Sequence, residues 1–162
     1  MKADPRVTSD LNTACGLLAT MAEQYRVDAI QLHVLDLDFL ADQLYDFDGE
    51  DGWHQKIETH LNKFIKRVLR FEADVTYVTG SVSSGGDVVA LLSRALSNAY
   101  TAFKQLTTAR SAAWTIRADS VPDLYEHAIQ TVEKQIFVIE QEQKLIAGLG
   151  LKDYIASRLE NE

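Results

Sequence analysis

Residues 53–74 read WHQKIETHLNKFIKRVLRFEAD, and what this stretch lacks bears on function more than what it holds. Its apolar residues Ile57, Leu61, Phe64, Val68 and Phe71 recur at steps of three and four. Lys56, Lys63, Lys66, Arg67 and Arg70 fall mostly between them, which is the pattern of an amphipathic helix with one stripe turned to a core. A helical bundle that binds two metals carries a Glu-x-x-His pair on such a stripe, one turn apart and pointing inward. The corresponding residues here are Ile57, Glu58, Thr59 and His60. The histidine is present and the carboxylate three before it is an isoleucine, so the stretch supports the architecture and withholds the chemistry.

Upstream, Thr8-Ser9-Asp10 supplies cap residues, and Leu11, Ala14, Leu18, Met21, Tyr25, Ala29, Leu32 and Leu40 trace an apolar stripe. No Gly or Pro interrupts it between Gly16 and Gly49, which predicts one long first helix over residues 6–45. The turn YDFDGEDGW, residues 45–53, holds Asp46, Asp48, Glu50 and Asp51. It has the acid density of a calcium loop, but the glycine is misplaced and position twelve would be Ile57, not a bidentate glutamate. It reads as a solvated acidic turn.

Downstream, VTYVTGSVSSGG at 75–86 abandons the helical period for β-branched residues, Ser and Gly. At ~3.3 Å per extended residue, about eleven residues span roughly 36 Å, the length of a helix of about 24 residues. The segment can therefore carry the chain back along the bundle. Asp87 caps a third helix through Val88, Leu92, Leu96, Ala99, Phe103 and Ala113. A break at 118–122 ends in Pro122, where a first helical turn tolerates it. A fourth helix runs through Tyr125, Ile129, Val132, Ile136 and Ile139 to Gly148, and LKDYIASRL after Gly150 makes a short fifth. The expectation is a single all-α domain over 1–162: a four-helix bundle with one long crossover between helices two and three and a short C-terminal fifth helix.

The formal charge is −8, and the Lys and Arg are spread along helix faces, which argues against nucleic acid as partner. No run of about 18 apolar residues occurs and the N-terminus lacks a signal-peptide pattern, so no membrane association and a cytoplasmic location are expected. The lone cysteine, Cys15, excludes an internal disulfide and reads as a small buried helix residue.

The sequence resembles bacterioferritin, a branch of the ferritin family. Met1-Lys2, Asp4, Val7, Leu11-Asn12, Gly16, Gln24-Tyr25 and Ala29 are similar to that family's first helix. Ala118-Asp119-Ser120-Val121 with Asp123 is similar to its turn between the third and fourth helices, and Leu145-Ile146 with Leu149 to Tyr154 to the end of its chain. The run after the first helix is about six residues longer than the family's. The resemblance implies the ferritin-like fold, iron as the metal, and a homo-oligomer built from dimers, up to a 24-mer, or co-assembly with an active ferritin subunit. The family's ferroxidase centre uses four glutamates and two histidines. Carried over residue by residue, these positions fall at Leu18, Ile57, His60, Ala99, Val132 and Gln135, and only His60 keeps its identity. The methionine that holds the family's haem between subunits falls at Glu58, and the only methionines are Met1 and Met21, so that haem mode is not expected.

The residues alone point the same way, because Leu18, Ile57, Ala99 and Val132 lie on the apolar stripes of their own helices. No catalytic or cofactor-binding residue is assigned. His60, His54 and Glu58 are the metal-ligand candidates. His60 reads first as a neutral histidine bonded to Gln135, and His54 with Glu58 as an exposed pair four apart. His33 and His127 carry no role, and Trp53 and Trp114 read as core or interface anchors. The resulting expectation is a non-catalytic, ferroxidase-deficient subunit of an iron-storage-type shell. Two alternatives stay open: a ferroxidase with a displaced iron site using His60 with Glu23, Glu58 or Glu133, and a bundle repurposed to bind a protein or ligand.

Overall fold

A computed structural model describes residues 2–118 and 120–160. Met1 and Asp119, both part of the resemblance above, lie outside the described residues. The described residues form helices and no strand. The helices are α1 (Pro5–Val34), α2 (Asp38–Leu44), α3 (Trp53–Arg70), α4 (Val88–Thr115), α5 (Val121–Leu149) and α6 (Leu151–Glu160). None is long and apolar enough to cross a membrane.

Local chemistry sets most of the boundaries. The Asp4 carboxylate accepts from the Arg6 amide at 2.8 Å with Pro5 in the first turn, and the Asp87 carboxylate accepts from the Ala90 amide at 3.0 Å. Gly150, at φ 81°, ends α5.

The single first helix expected over 6–45 is two. α1 stops at Val34 and α2 starts at Asp38, because Asp36 turns left-handed at φ 60°. The Asp36 amide then donates to the His33 carbonyl at 3.0 Å and the Leu37 amide to the Leu32 carbonyl at 2.9 Å. This is a Schellman ending, closed by burying Leu37. Glu72 (φ 58°) ends α3 and Arg117 (φ 50°) ends α4 by the same pair of bonds. None of the three is glycine, so the usual composition signal for these stops is missing.

α1 packs against α2, α3 and α4, and α5 packs against α3, α4 and α6. α3 begins beside the C-terminal half of α1, where Trp53 meets Tyr25 edge-on at 5.5 Å between ring centroids. It ends toward the start of α1, where the Asn12 amide donates to the Asp74 carbonyl at 3.0 Å.

From there residues 74–86 run back along α1, held by one face of that helix. Asn12 Oδ1 accepts from the Thr76 amide and Thr20 Oγ1 from the Gly80 amide, both at 2.8 Å. Gln24 takes the Ser83 amide and gives to the Ser83 carbonyl, each at 2.7 Å. Gln31 closes the series on Gly85 and Gly86 at 2.9 and 2.8 Å. Asn12, Gly16, Thr20 and Gln24 are four apart, so they line one face. A Cβ on Gly16 would lie 2.8 Å from the Val78 carbonyl oxygen, so only glycine lets the segment lie this close. α4 therefore starts at the same end of α1 as α3 does.

The core draws on every helix, from Leu11, Leu18 and Leu32 through Ile57, Phe64, Leu91 and Leu106 to Ile129, Ile139 and Tyr154. Cys15 is buried, and burial raises its thiol pKa to about 11. Trp53 is part of the core, but Trp114 is exposed and is no core anchor.

Candidate functional site

The candidate site is the interior level at which the resemblance would place metal ligands. Leu18 on α1, Ile57 on α3, Ala99 on α4 and Val132 on α5 are each fully buried within one core. Iron of the carboxylate-bridged type needs oxygen and imidazole nitrogen, and these four positions present only hydrocarbon. The residues do not fit a di-iron group. Among the described residues, no cluster of three or more His, Cys, Asp or Glu could hold a metal ion.

Two polar bridges cross this interior. The Tyr25 hydroxyl donates to Gln135 Oε1 at 2.8 Å, joining α1 to α5, and burial drives its pKa far up. His60 Nε2 lies 2.7 Å from Thr131 Oγ1, joining α3 to α5. The Thr131 hydroxyl also reaches the His127 carbonyl at 3.3 Å. The other ring nitrogen of His60, Nδ1, is buried and without a partner among the described residues. Burial first, then the charges of Lys63 and His127, lower the His60 pKa to about 4.

His60 is thus a neutral buried imidazole, but its partner is not the expected Gln135. Gln135 sits one helical turn beyond Thr131 and is committed to Tyr25. Sequence spacing shows only which residues of α5 share a face; the register of α5 against α3 decides which of them meets His60.

His54 also differs from the exposed residue expected. Its ring is buried, and Nδ1 lies 2.6 Å from the Ala22 carbonyl. The carbonyl can only accept, so Nδ1 carries hydrogen and Nε2 faces Glu58 Oε1 at 3.1 Å. The expected i,i+4 pair is present, with its histidine inside and its glutamate exposed. Glu23 is bound by Arg26 at 2.6 and 3.1 Å, which lowers its pKa, with a smaller pull from His54. Glu23 and Glu58 therefore sit around His54, and His60 has neither beside it.

Three polar features had no clear signal in the chain read alone. Asp28 is fully buried; its Oδ1 accepts from Arg94 at 2.8 Å and from Gln24 at 2.9 Å. Burial raises the Asp28 pKa against the pull of Arg94 and then Gln24. Glu142 is buried and accepts from the Tyr154 hydroxyl at 2.5 Å and from Arg158, whose guanidinium lies over Phe39 at 4.7 Å. His33 sits between Asp38 at 2.6 Å and Asp42 at 3.3 Å, so it joins α1 to α2. Each is a clasp between elements, and each residue of it reads as an ordinary surface charge until the helices are packed.

No protein-family model matches the chain, and no curated protein matches it.

Proposed function

We propose that this protein is a bacterioferritin-like subunit without ferroxidase chemistry, a structural member of an iron-storage-type shell that assembles with copies of itself or with an active ferritin subunit. The observation that carries this reading is the hydrocarbon at Leu18, Ile57, Ala99 and Val132, buried where the resemblance would put carboxylates. The ferritin-like four-helix arrangement with one long crossover is part of the proposal. Its support is the pairing of α1 with α3 and of α4 with α5, and the run of 74–86 back along α1. The iron oxidation would belong to another subunit, and the role of this chain is to complete the wall.

The test has two parts. Sedimentation should give an assembly larger than a monomer, or purification should return a second ferritin-like subunit with it. Aerobic addition of ferrous iron to the homogeneous protein should give no ferric absorbance above the buffer rate. Oxidation at a saturable rate that His54→Ala or Glu58→Gln abolishes would replace this reading with that of a displaced iron site.

A further inference from the structure

In a chain of net charge −8, five of the sixteen Lys and Arg stand on the eighteen residues of α3: Lys56, Lys63, Lys66, Arg67 and Arg70. At about 100° of turn per residue, Lys56, Lys63, Arg67 and Arg70 fall within about 60° of one another, with Lys66 about 40° further round. From Lys56 to Arg70 the stripe is about 21 Å long, at a rise of about 1.5 Å per residue. Lys56, Lys63, Lys66 and Arg70 are exposed, and among the described residues no carboxylate pairs with them. Elsewhere the chain pairs its cations: Arg6, Arg26, Arg94, Arg110 and Arg158 each have a carboxylate.

The neighbouring helix extends this face and does not neutralise it. His60 beside Thr131 at 2.7 Å and Phe64 against Tyr125 at 5.1 Å between ring centroids set α5 antiparallel to α3. In that register the exposed Lys134 stands level with Lys56, and the exposed His127 stands level with Lys63. Lys63 and His127 both lie close enough to the buried His60 for their charges to act on it. The acids of α5 turn the other way, toward α4. Glu126 is held there by Arg110 and Glu140 by the Tyr100 hydroxyl at 3.1 Å, and Glu133, seven residues from each, shares their face. Acids come at the ends of the stripe, in the turn 46–51 and at Glu72 and Asp123.

The class of occupant follows from what the stripe lacks. A stable protein partner needs an apolar centre to its contact. Here Leu61 and Ile65 pack against the core, and the exposed Leu69 stands about 60° outside the cations. Single-stranded nucleic acid needs aromatic side chains on which its bases stack, and the aromatic beside the stripe, Phe71, is half-buried with Arg67 over its ring at 5.9 Å. A duplex long enough to follow α3 runs on to the carboxylates of 46–51. A bare phosphate chain needs neither stacking nor an apolar seam, because Lys and Arg alone meet its anions. We propose that the face formed by α3 and α5 binds inorganic polyphosphate, laid along Lys56, Lys63, Arg67 and Arg70 with Lys66 and Lys134 at its flanks. The site lies within one chain, so it stands or falls separately from the shell-subunit reading.

The experiment is calorimetric titration of the full chain with inorganic polyphosphate long enough to span the stripe. Affinity should fall about a hundredfold between about 50 and about 200 mM salt, from a log–log slope of about −3.5 for five neutralised phosphates. Lys63→Gln with Arg70→Gln should weaken binding at least about tenfold at the lower salt and make the slope shallower by about 1.4. Lys134→Gln should weaken it too, which tests the share of α5. Lys144→Gln with Lys152→Gln removes two exposed lysines outside the face and should leave the affinity unchanged. Helical circular dichroism equal to wild type shows that each variant is folded. Absence of binding at the lower salt overturns the proposal, as does binding that the face variants leave unchanged or that the control variant weakens as much. Equal or tighter binding of single-stranded DNA or of polyglutamate of the same charge overturns it as well, since the face would then serve nucleic acid or an acidic protein.

Discussion

Replacing Gly16 by alanine is expected to destabilise this protein, although the same change in an ordinary helix interior does the opposite. Alanine is worth about 0.8–1.0 kcal/mol over glycine in a helix, and Gly16 lies well inside α1. The new Cβ, however, would stand 2.8 Å from the Val78 carbonyl oxygen. That atom belongs to a backbone, so relief requires the 74–86 segment to move outward by roughly half an ångström to reach ordinary contact. The bonds on either side, Asn12 to the Thr76 amide and Thr20 to the Gly80 amide, are both 2.8 Å long and stretch with it. Losing most of two bonds worth about 0.5–1.5 kcal/mol each, plus overpacking of about 1 kcal/mol, outweighs the helical gain. The net expectation is a loss of about 1–2 kcal/mol, which for a chain of this size lowers Tm by roughly 2–8 °C. Urea unfolding followed by circular dichroism gives the sign, and hydrogen exchange at Thr76 and Gly80 locates the effect. A variant stabilised by about 1 kcal/mol, with protection at those amides unchanged, would refute the docking of this segment on α1.

Other outcomes follow from single residues. His60 has a folded pKa of about 4 against an ordinary 6.5. As pH falls through 6.5 the unfolded chain takes up a proton that the folded one refuses, so the His60 contribution is whole above that value, declines down to about 4 and is level below it. The His60 ring resonances should hold the neutral position at pH 5.5, and a shift to the imidazolium position there would contradict the burial described. Arg117 holds a left-handed conformation at φ 50° on an exposed turn. Arg117→Gly should raise the urea midpoint by an amount equivalent to about 0.5–1 kcal/mol, since the strain removed exceeds the extra freedom of the unfolded chain; an unchanged or lower midpoint would count against the Schellman ending of α4.

What the residues fix alone is local. Apolar steps of three and four make α1, α3, α4 and α5 helical wherever they pack, and the acids, Pro122 and Gly150 mark several of their ends. The hydrocarbon at Leu18, Ile57, Ala99 and Val132 is a matter of residue identity, and no packing can put an oxygen there. The end of α1 escaped this reading because Asp36, not glycine, takes the left-handed position, and the force behind it is the burial of Leu37 in the core. The partner of His60 escaped it for a related reason. Thr131 and Gln135 share one face of α5, and a slide of one turn, about 5.4 Å, exchanges them. Burial of His54, the clasps at Asp28 and Glu142, and the seating of 74–86 on Asn12, Gly16, Thr20 and Gln24 were likewise settled only by tertiary structure. Each joins elements far apart in the chain, and the energy that chooses among such pairings belongs to the packed whole.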